Sequence, residues 1–198
     1  MKQRGTRSRA QGGFTLIETM IAVVILTVGI LTLVAAFATT VATTHNAQEN
    51  LIARQKALEA MESIFTARNT QQINFAQIGN IASGGIFTNG ATPLWDAGPD
   101  GLVNTLDDVP FPATGVCPAG PECISLPGPD GILGTADDVP MSLGNFTRQI
   151  QISPVLEADG VTINPNLKQI TVTVSYATQG ASTVPRSYSV NALISAFR

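Results

Sequence analysis

The chain has 198 residues, enough for one globular domain and a further segment, and its formal net charge is −3. Four basic residues precede Gly13, namely Lys2, Arg4, Arg7 and Arg9, whereas all 14 acidic residues follow it. Without residues 1–13 the chain would keep 7 basic and 14 acidic residues, a net charge of 7 − 14 = −7. Such an acidic surface excludes nucleic acid as an expected partner, because phosphates are bound by basic patches.

An apolar segment of membrane-spanning length follows the basic N-terminus. No Asp, Glu, Lys or Arg occurs between Glu18 and Glu49, and residues 20–38 are almost wholly apolar. As a helix this segment is long enough to cross the roughly 30 Å hydrocarbon core of a bilayer. The basic N-terminus should stay in the cytoplasm, which predicts an extracytoplasmic C-terminal part. Glu18 is the exception in this segment, because a carboxylate within a membrane helix is costly and usually has a partner.

The run from Gly13 to Glu18, Gly-Phe-Thr-Leu-Ile-Glu, resembles the class III signal of type IV prepilins and of type II secretion pseudopilins. The basic leader before it and the apolar run after it match the same pattern. In that family a prepilin peptidase cuts after the glycine and methylates the new N-terminal residue. The resemblance therefore implies processing at Gly13 and N-methylation of Phe14. A secretory signal peptide does not fit, because its apolar core is shorter and precedes its cleavage site.

The resemblance also implies an assembly role for two residues. In a filament, the Phe14 amine of one subunit would pair with Glu18 of another, which would relieve the cost of both buried charges. The implied partners are other pilin subunits, the prepilin peptidase, the inner-membrane assembly platform and, before assembly, membrane lipid. The implied location is the inner membrane as a single-pass protein, and then a pilus or pseudopilus in the periplasm or at the cell surface.

A long helix is predicted over residues 14–68, because no proline occurs before Pro93. Residues 14–40 would form its transmembrane or filament-core part, after a leader of residues 1–13. Five apolar residues at helical spacing predict the stripe that packs on the domain: Ala47, Leu51, Leu58, Met61 and Phe65. Five charged residues are assigned to the other faces: Arg54, Lys56, Glu59, Glu62 and Arg68. Gly29 stands where many major pilins have a helix-kinking proline, which favours a minor pilin or pseudopilin.

Residues 69–198 are predicted to form an extracytoplasmic β-rich domain. Apolar residues alternate with polar ones over residues 146–152, 170–176 and 188–194, which indicates strands with one buried face. A short strand is possible at residues 85–88, and turns are expected at residues 159–160 and 179–183. The predicted fold is α+β and type IV pilin-like, with an antiparallel sheet of three or four strands on the long helix and a long loop insertion.

The insertion, residues 96–142, contains an acidic repeat. Residues 98–110 recur as residues 128–140, with nine of 13 positions identical. Calcium suits such loops because it prefers carboxylate and carbonyl oxygens. The candidate ligands of the first copy are Asp96, Asp100, Thr105, Asp107 and Asp108, and those of the second are Asp130, Thr135, Asp137 and Asp138. Asp96 has no acidic counterpart in the second copy, which favours the first copy if only one binds. The alternative is two solvated acidic turns without an ion.

Cys117 and Cys123 lie between the two copies, and outside the cytoplasm their close spacing predicts a disulfide. A zinc site is disfavoured because the only histidine, His45, belongs to the membrane-proximal helix. No set of nucleophile, base and acid can be assembled around His45, so an enzyme is not expected.

The combined features predict a minor pilin of a type IV pilus. Two alternatives remain. One is a type II secretion pseudopilin, and the other is a membrane-anchored, calcium-dependent adhesive domain that never polymerises.

Overall fold

The computed structural model describes residues 13–177 and 185–197. The predicted leader before Gly13 and the predicted turn at residues 179–183 lie outside the described residues. The chain divides into two compact units, Met1–His45 and Asn46–Arg198, which are described separately.

The first unit is dominated by helix α1, which begins at Leu16 and continues into the second unit as far as Asn69. Up to Thr44 every described residue is exposed, the large apolar side chains included. The hydroxyls of Thr27 and Thr32 donate to backbone carbonyls one turn earlier, both at 2.8 Å. This apolar segment can therefore enter a bilayer without unsatisfied hydroxyls, because its threonines bond within the helix. By length and composition α1 is able to cross a membrane.

Within its described residues the second unit contains six strands in two antiparallel sheets. They are β1 (Thr92–Pro93), β2 (Cys123–Leu126), β3 (Val139–Ser142), β4 (Phe146–Leu156), β5 (Ile163–Ala177) and β6 (Pro185–Ser195). The larger sheet has the order β1-β4-β5-β6, and β2 pairs with β3 as a separate hairpin. A short 3₁₀ helix spans Ile81–Ser83. The prediction of an α+β, pilin-like fold with an antiparallel sheet is confirmed.

The prediction of a possible short strand at residues 85–88 is wrong. Phe87 makes only an isolated bridge to Asn80. The chain turns through Gly84, which has a positive φ of 79°, and any Cβ at Gly85 would collide with the backbone of Gly79. This close approach of two backbone segments prevents a regular ladder.

The core of the second unit lies between one face of the larger sheet and α1. Alternate residues of the strands are buried there, as period-two alternation predicts: Phe146, Ile150, Ile170, Val172, Val174 and Tyr176. The rings of Phe146 and Tyr176 stack with their centroids 5.3 Å apart. The facing side of α1 is rich in alanine, with Ala53, Ala57, Ala60 and Ala67 all buried.

The predicted helix stripe is wrong for three of its five residues. Met61 is buried and Phe65 is half-buried, but Ala47 is exposed, and Leu51 and Leu58 are 63% and 42% exposed. The assignment of Lys56 and Arg68 to outer faces is also wrong, because both are buried. The prediction chose the largest apolar residues of the helix, whereas the side of α1 that is buried contains the four alanines named above.

Candidate functional site

The start of α1 forms the N-terminal site. Gly13 and Phe14 precede the helix, and the Phe14 side chain is 82% exposed. Thr15 caps the helix, since its Oγ1 accepts a hydrogen bond from the backbone N–H of Glu18 at 3.3 Å. Glu18 lies in the first turn, where a carboxylate interacts favourably with the positive end of the helix dipole. Sequence reasoning missed this cap, although the Thr-x-x-Glu spacing of Thr15 and Glu18 is the signal of a capping box.

The two acidic repeats fold into loops with the same hydrogen bonds. In the first loop, Asp100 Oδ1 accepts from the N–H of Leu102 at 2.7 Å, and Asp107 Oδ2 accepts from the N–H of Asp100 at 3.2 Å. Thr105 Oγ1 donates to Asp107 Oδ1 at 2.6 Å. These contacts tie the start of the loop to its end.

The second loop repeats each contact 30 residues later. Asp130 Oδ1 accepts from the N–H of Ile132 at 2.8 Å, Asp137 Oδ2 accepts from the N–H of Asp130 at 3.2 Å, and Thr135 donates to Asp137 at 2.6 Å. Gly131 has a positive φ of 72°, close to the 68° of its counterpart Gly101. The shared residues of the repeat therefore encode one loop conformation.

Both loops are closed by antiparallel pairing at equivalent positions. Asp96 pairs with Val109 in the first loop, and Leu126 pairs with Val139 in the second, where β2 and β3 meet. The second loop is thus the tip of the β2–β3 hairpin. The structure brings Asp100, Thr105, Asp107 and Asp108 together in one loop, and Asp130, Thr135, Asp137 and Asp138 in the other.

The hydrogen bonds inside the loops favour ionised carboxylates. Thr105 and the N–H of Asp100 hold the pKa of Asp107 below its usual range, and Thr135 and the N–H of Asp130 do the same for Asp137. Burial raises the pKa of Asp100, with a further contribution from the neighbouring charges of Asp107 and Asp108. Across residues 13–177 and 185–197, no three His, Cys, Asp or Glu side chains are already arranged as metal ligands.

The first loop differs from the second in being packed on the domain. Asn104 is fully buried, donates to the backbone carbonyl of Arg148 at 2.9 Å and accepts from Arg148 Nε at 2.6 Å. Burial lowers the pKa of Arg148, whereas the negative charges of Asp108, Glu59 and Glu122 act to raise it. A cation bound at the first loop would be repelled by the positive charge of Arg148. This repulsion argues against the first copy as the preferred calcium site, which the additional residue Asp96 had favoured. The counterpart of Asn104 is Gly134, which cannot make these contacts.

Calcium binding by the loops stays a prediction. If it occurs, calcium should raise the melting temperature of the full-length protein in detergent, since a ligand of the folded state stabilises it by mass action. Asp107→Ala together with Asp137→Ala should abolish that rise. Asp159→Ala is the matched control, because Asp159 caps a turn outside the repeats by accepting from the N–H of Val161 at 2.9 Å. Melting that does not depend on calcium would favour the ion-free turns.

The predicted disulfide is present, and a charged contact to α1 lies next to it in the chain. Cys117 and Cys123 are bonded, and Glu122 lies next to Cys123. Glu122 Oε1 is 2.6 Å from Nζ of the buried Lys56, and Glu59 Oε2 is 2.9 Å from the same atom. Burial lowers the pKa of Lys56, but the hydrogen bonds and charges of Glu122 and Glu59 outweigh it, so the pKa is raised overall.

Comparison with known proteins identifies the N-terminal segment. A family model described as the prokaryotic N-terminal methylation motif matches residues 8–34. No curated protein and no solved structure matches the chain. The matched residues contain Gly13, Phe14, the helix cap and the first half of the exposed apolar helix. The chain therefore carries a prepilin-type N-terminal methylation motif at the start of a long apolar helix, an arrangement consistent with that of type IV pilin-like proteins.

Proposed function

We propose that the chain is a structural subunit of a type IV pilus, and specifically a minor pilin. It is inserted in the inner membrane, cut after Gly13, methylated on Phe14 and assembled into a filament through α1. The proposal assigns the chain a structural role and no catalytic one. A type II secretion pseudopilin is the alternative within the same family.

The observation that carries the proposal is the match of residues 8–34 to the methylation motif on a helix whose apolar side chains are exposed. Those side chains need an apolar environment, which a bilayer supplies before assembly and neighbouring helices supply in a filament. A plain membrane anchor would account for the apolar helix, and the helix cap would account for Glu18 in its first turn, but neither would account for the match to the methylation motif. A charged partner for Glu18, the Phe14 amine of another subunit, is available only after cleavage.

Glu18→Gln tests this pairing separately from the helix cap. Glutamine can also fill the third position of a capping box, so the substitution removes the charge while the cap remains. Breaking one side of a buried ion pair typically costs about 3–5 kcal/mol, because the other charge is left without its partner. We expect normal cleavage and a reduction of more than tenfold in the amount of the subunit in sheared filaments, measured by quantitative immunoblotting.

Thr15→Ala is the matched control, since it removes the cap and keeps the charge. It should lower the helix stability by only about 1 kcal/mol and should leave incorporation close to wild type. Wild-type incorporation of Glu18→Gln with normal cleavage would contradict the pairing. Incorporation into a secretion pseudopilus instead of a pilus would select the alternative within the family.

A further inference from the structure

Arg68 is a buried cation for which the described residues supply no counter-ion. Three basic side chains are buried in the part of the chain that the structure describes, namely Lys56, Arg68 and Arg148. Lys56 is paired with Glu59 and Glu122, whose charges also act on Arg148. Arg68 is 8% exposed, and none of the described carboxylates lies within 4.0 Å of it. A charged arginine is seldom buried without an anionic partner, so the surroundings of Arg68 are incomplete.

The hydrogen bonds of Arg68 leave part of its guanidinium group unused. Nη2 donates to the backbone carbonyl of Ala196 at 3.0 Å, which ties the last turn of α1 to the residue after β6. Nε is buried and has no hydrogen-bond partner among the described residues. A buried donor without an acceptor costs free energy, and adjacent N–H groups of an arginine match the two oxygens of a carboxylate. The helix dipole at the end of α1 favours the positive charge but gives Nε no acceptor.

Arg68 lines a pocket between the end of α1 and strand β6. The pocket has a volume of about 270 Å³, and its other lining residues are Phe65, Asn69, Leu193, Ile194, Ser195 and Phe197. None of the described lining residues is acidic, and Leu193 and Phe197 are 59% and 72% exposed. The pocket therefore combines one positive charge with an apolar wall, and a carboxylate that enters it would meet no negative charge among these residues.

We infer that this pocket binds a carboxylate carried by a small apolar group. The carboxylate accepts hydrogen bonds from Arg68, and the apolar group contacts Phe65, Leu193 and Phe197. The positive charge of Arg68 excludes cations as ligands, and an uncharged apolar molecule would leave Nε of Arg68 without an acceptor. The inference does not depend on the proposed function, because every lining residue belongs to the second unit.

The Nε–H resonance of Arg68 in the full-length protein, measured by NMR in detergent, reports directly on this site. Arg68→Met identifies the resonance by its loss. Isocaproate, a carboxylate on a leucine-like apolar chain, should shift this resonance in a saturable way. Acetate lacks the apolar chain and should need a concentration at least about tenfold higher for the same shift. Isohexyl alcohol, which has the chain of isocaproate but no charge, should leave the resonance in place.

Two pairs of variants control the titration. Leu193→Ser should weaken isocaproate binding several-fold, because it removes part of the apolar wall at an exposed position. Val161→Ser is its matched control, since Val161 is 81% exposed between β4 and β5 and does not line the pocket. Arg54→Met, on the exposed side of α1, should keep the Arg68 resonance and its response. If Arg68→Met does not fold, Arg68→Lys replaces it, and the wild-type titration and Leu193→Ser still decide the outcome.

The same resonance distinguishes two sources of the carboxylate. A response to isocaproate in dilute protein alone supports a free carboxylate as the ligand. A shift that appears without isocaproate as the protein concentration is raised supports an acidic residue of a second copy of this chain. The absence of a saturable shift in both experiments, or an equal response to isohexyl alcohol, would overturn the inference and leave the proposed function standing.

Discussion

Gly13→Val should accumulate as an unprocessed, membrane-bound protein with its leader attached. A Cβ at Gly13 would meet no atom of the described residues within 4 Å, so this part of the structure tolerates a larger side chain. The effect should therefore come from the peptidase, whose subsite would have to accept a β-branched residue. We expect near-complete loss of the mature form, measured by immunoblotting and by the intact mass of the membrane fraction.

Gly29→Val is the matched control for this substitution. Gly29 lies within α1, after the cleavage site, and a Cβ there also meets no atom of the described residues within 4 Å. It should raise helix stability slightly, because valine has a higher helix propensity than glycine, and it should leave cleavage unchanged. Mature-sized protein from Gly13→Val would contradict processing after Gly13.

Glu122→Ala should lower the free energy of unfolding by about 1.5–2 kcal/mol, the lower part of the range for a hydrogen bond to a charged group, because Glu122 is only partly buried. Lys56 would keep Glu59 as a partner at 2.9 Å, but Glu59 is more exposed than Glu122. Removal of the Glu122 carboxylate also takes away one of the negative charges that favour the charged form of the buried Arg148. Urea unfolding of the full-length protein in detergent, monitored by circular dichroism, measures the change.

The effect of Glu122→Ala should depend on pH with a definite sign. The pKa of Lys56 is raised from 10.5, so the stabilisation is fully present below that value and is lost as the pH rises through the raised pKa. The difference between the variant and the wild type should therefore shrink in strongly alkaline solution. Glu157→Ala, at an exposed turn, is the control and should change stability by less than about 0.5 kcal/mol. A Glu122→Ala protein as stable as the control would contradict the role of this ion pair.

Local sequence patterns predicted most of the helix and strand positions. They did not predict which side of α1 packs on the sheet. Period-two alternation identified the buried faces of the strands around Ile150, Val172 and Val190, because alternate side chains of a strand point to one face. The helix stripe failed because α1 is apolar on more than one side. Leu51 and Leu58 were the larger candidates, and only the position of the sheet shows that the alanines are buried instead.

The N-terminal methylation motif was predictable because its information lies largely in six adjacent residues, Gly13 to Glu18. The surroundings of the acidic loops were not, since they depend on residues distant in the sequence. Asn104 contacts Arg148, 44 residues later, and this contact separates two loops that look alike in sequence. The charged network around Lys56 was missed for the same reason, because Glu122 is 66 residues away along the chain.

The most direct test of the pilin-like assignment is the N-terminal mass of the protein from sheared surface filaments. The account predicts a chain that begins at Phe14 and carries one N-terminal methyl group. Protein that is found only in the membrane fraction and still begins with residues 1–13 would contradict it.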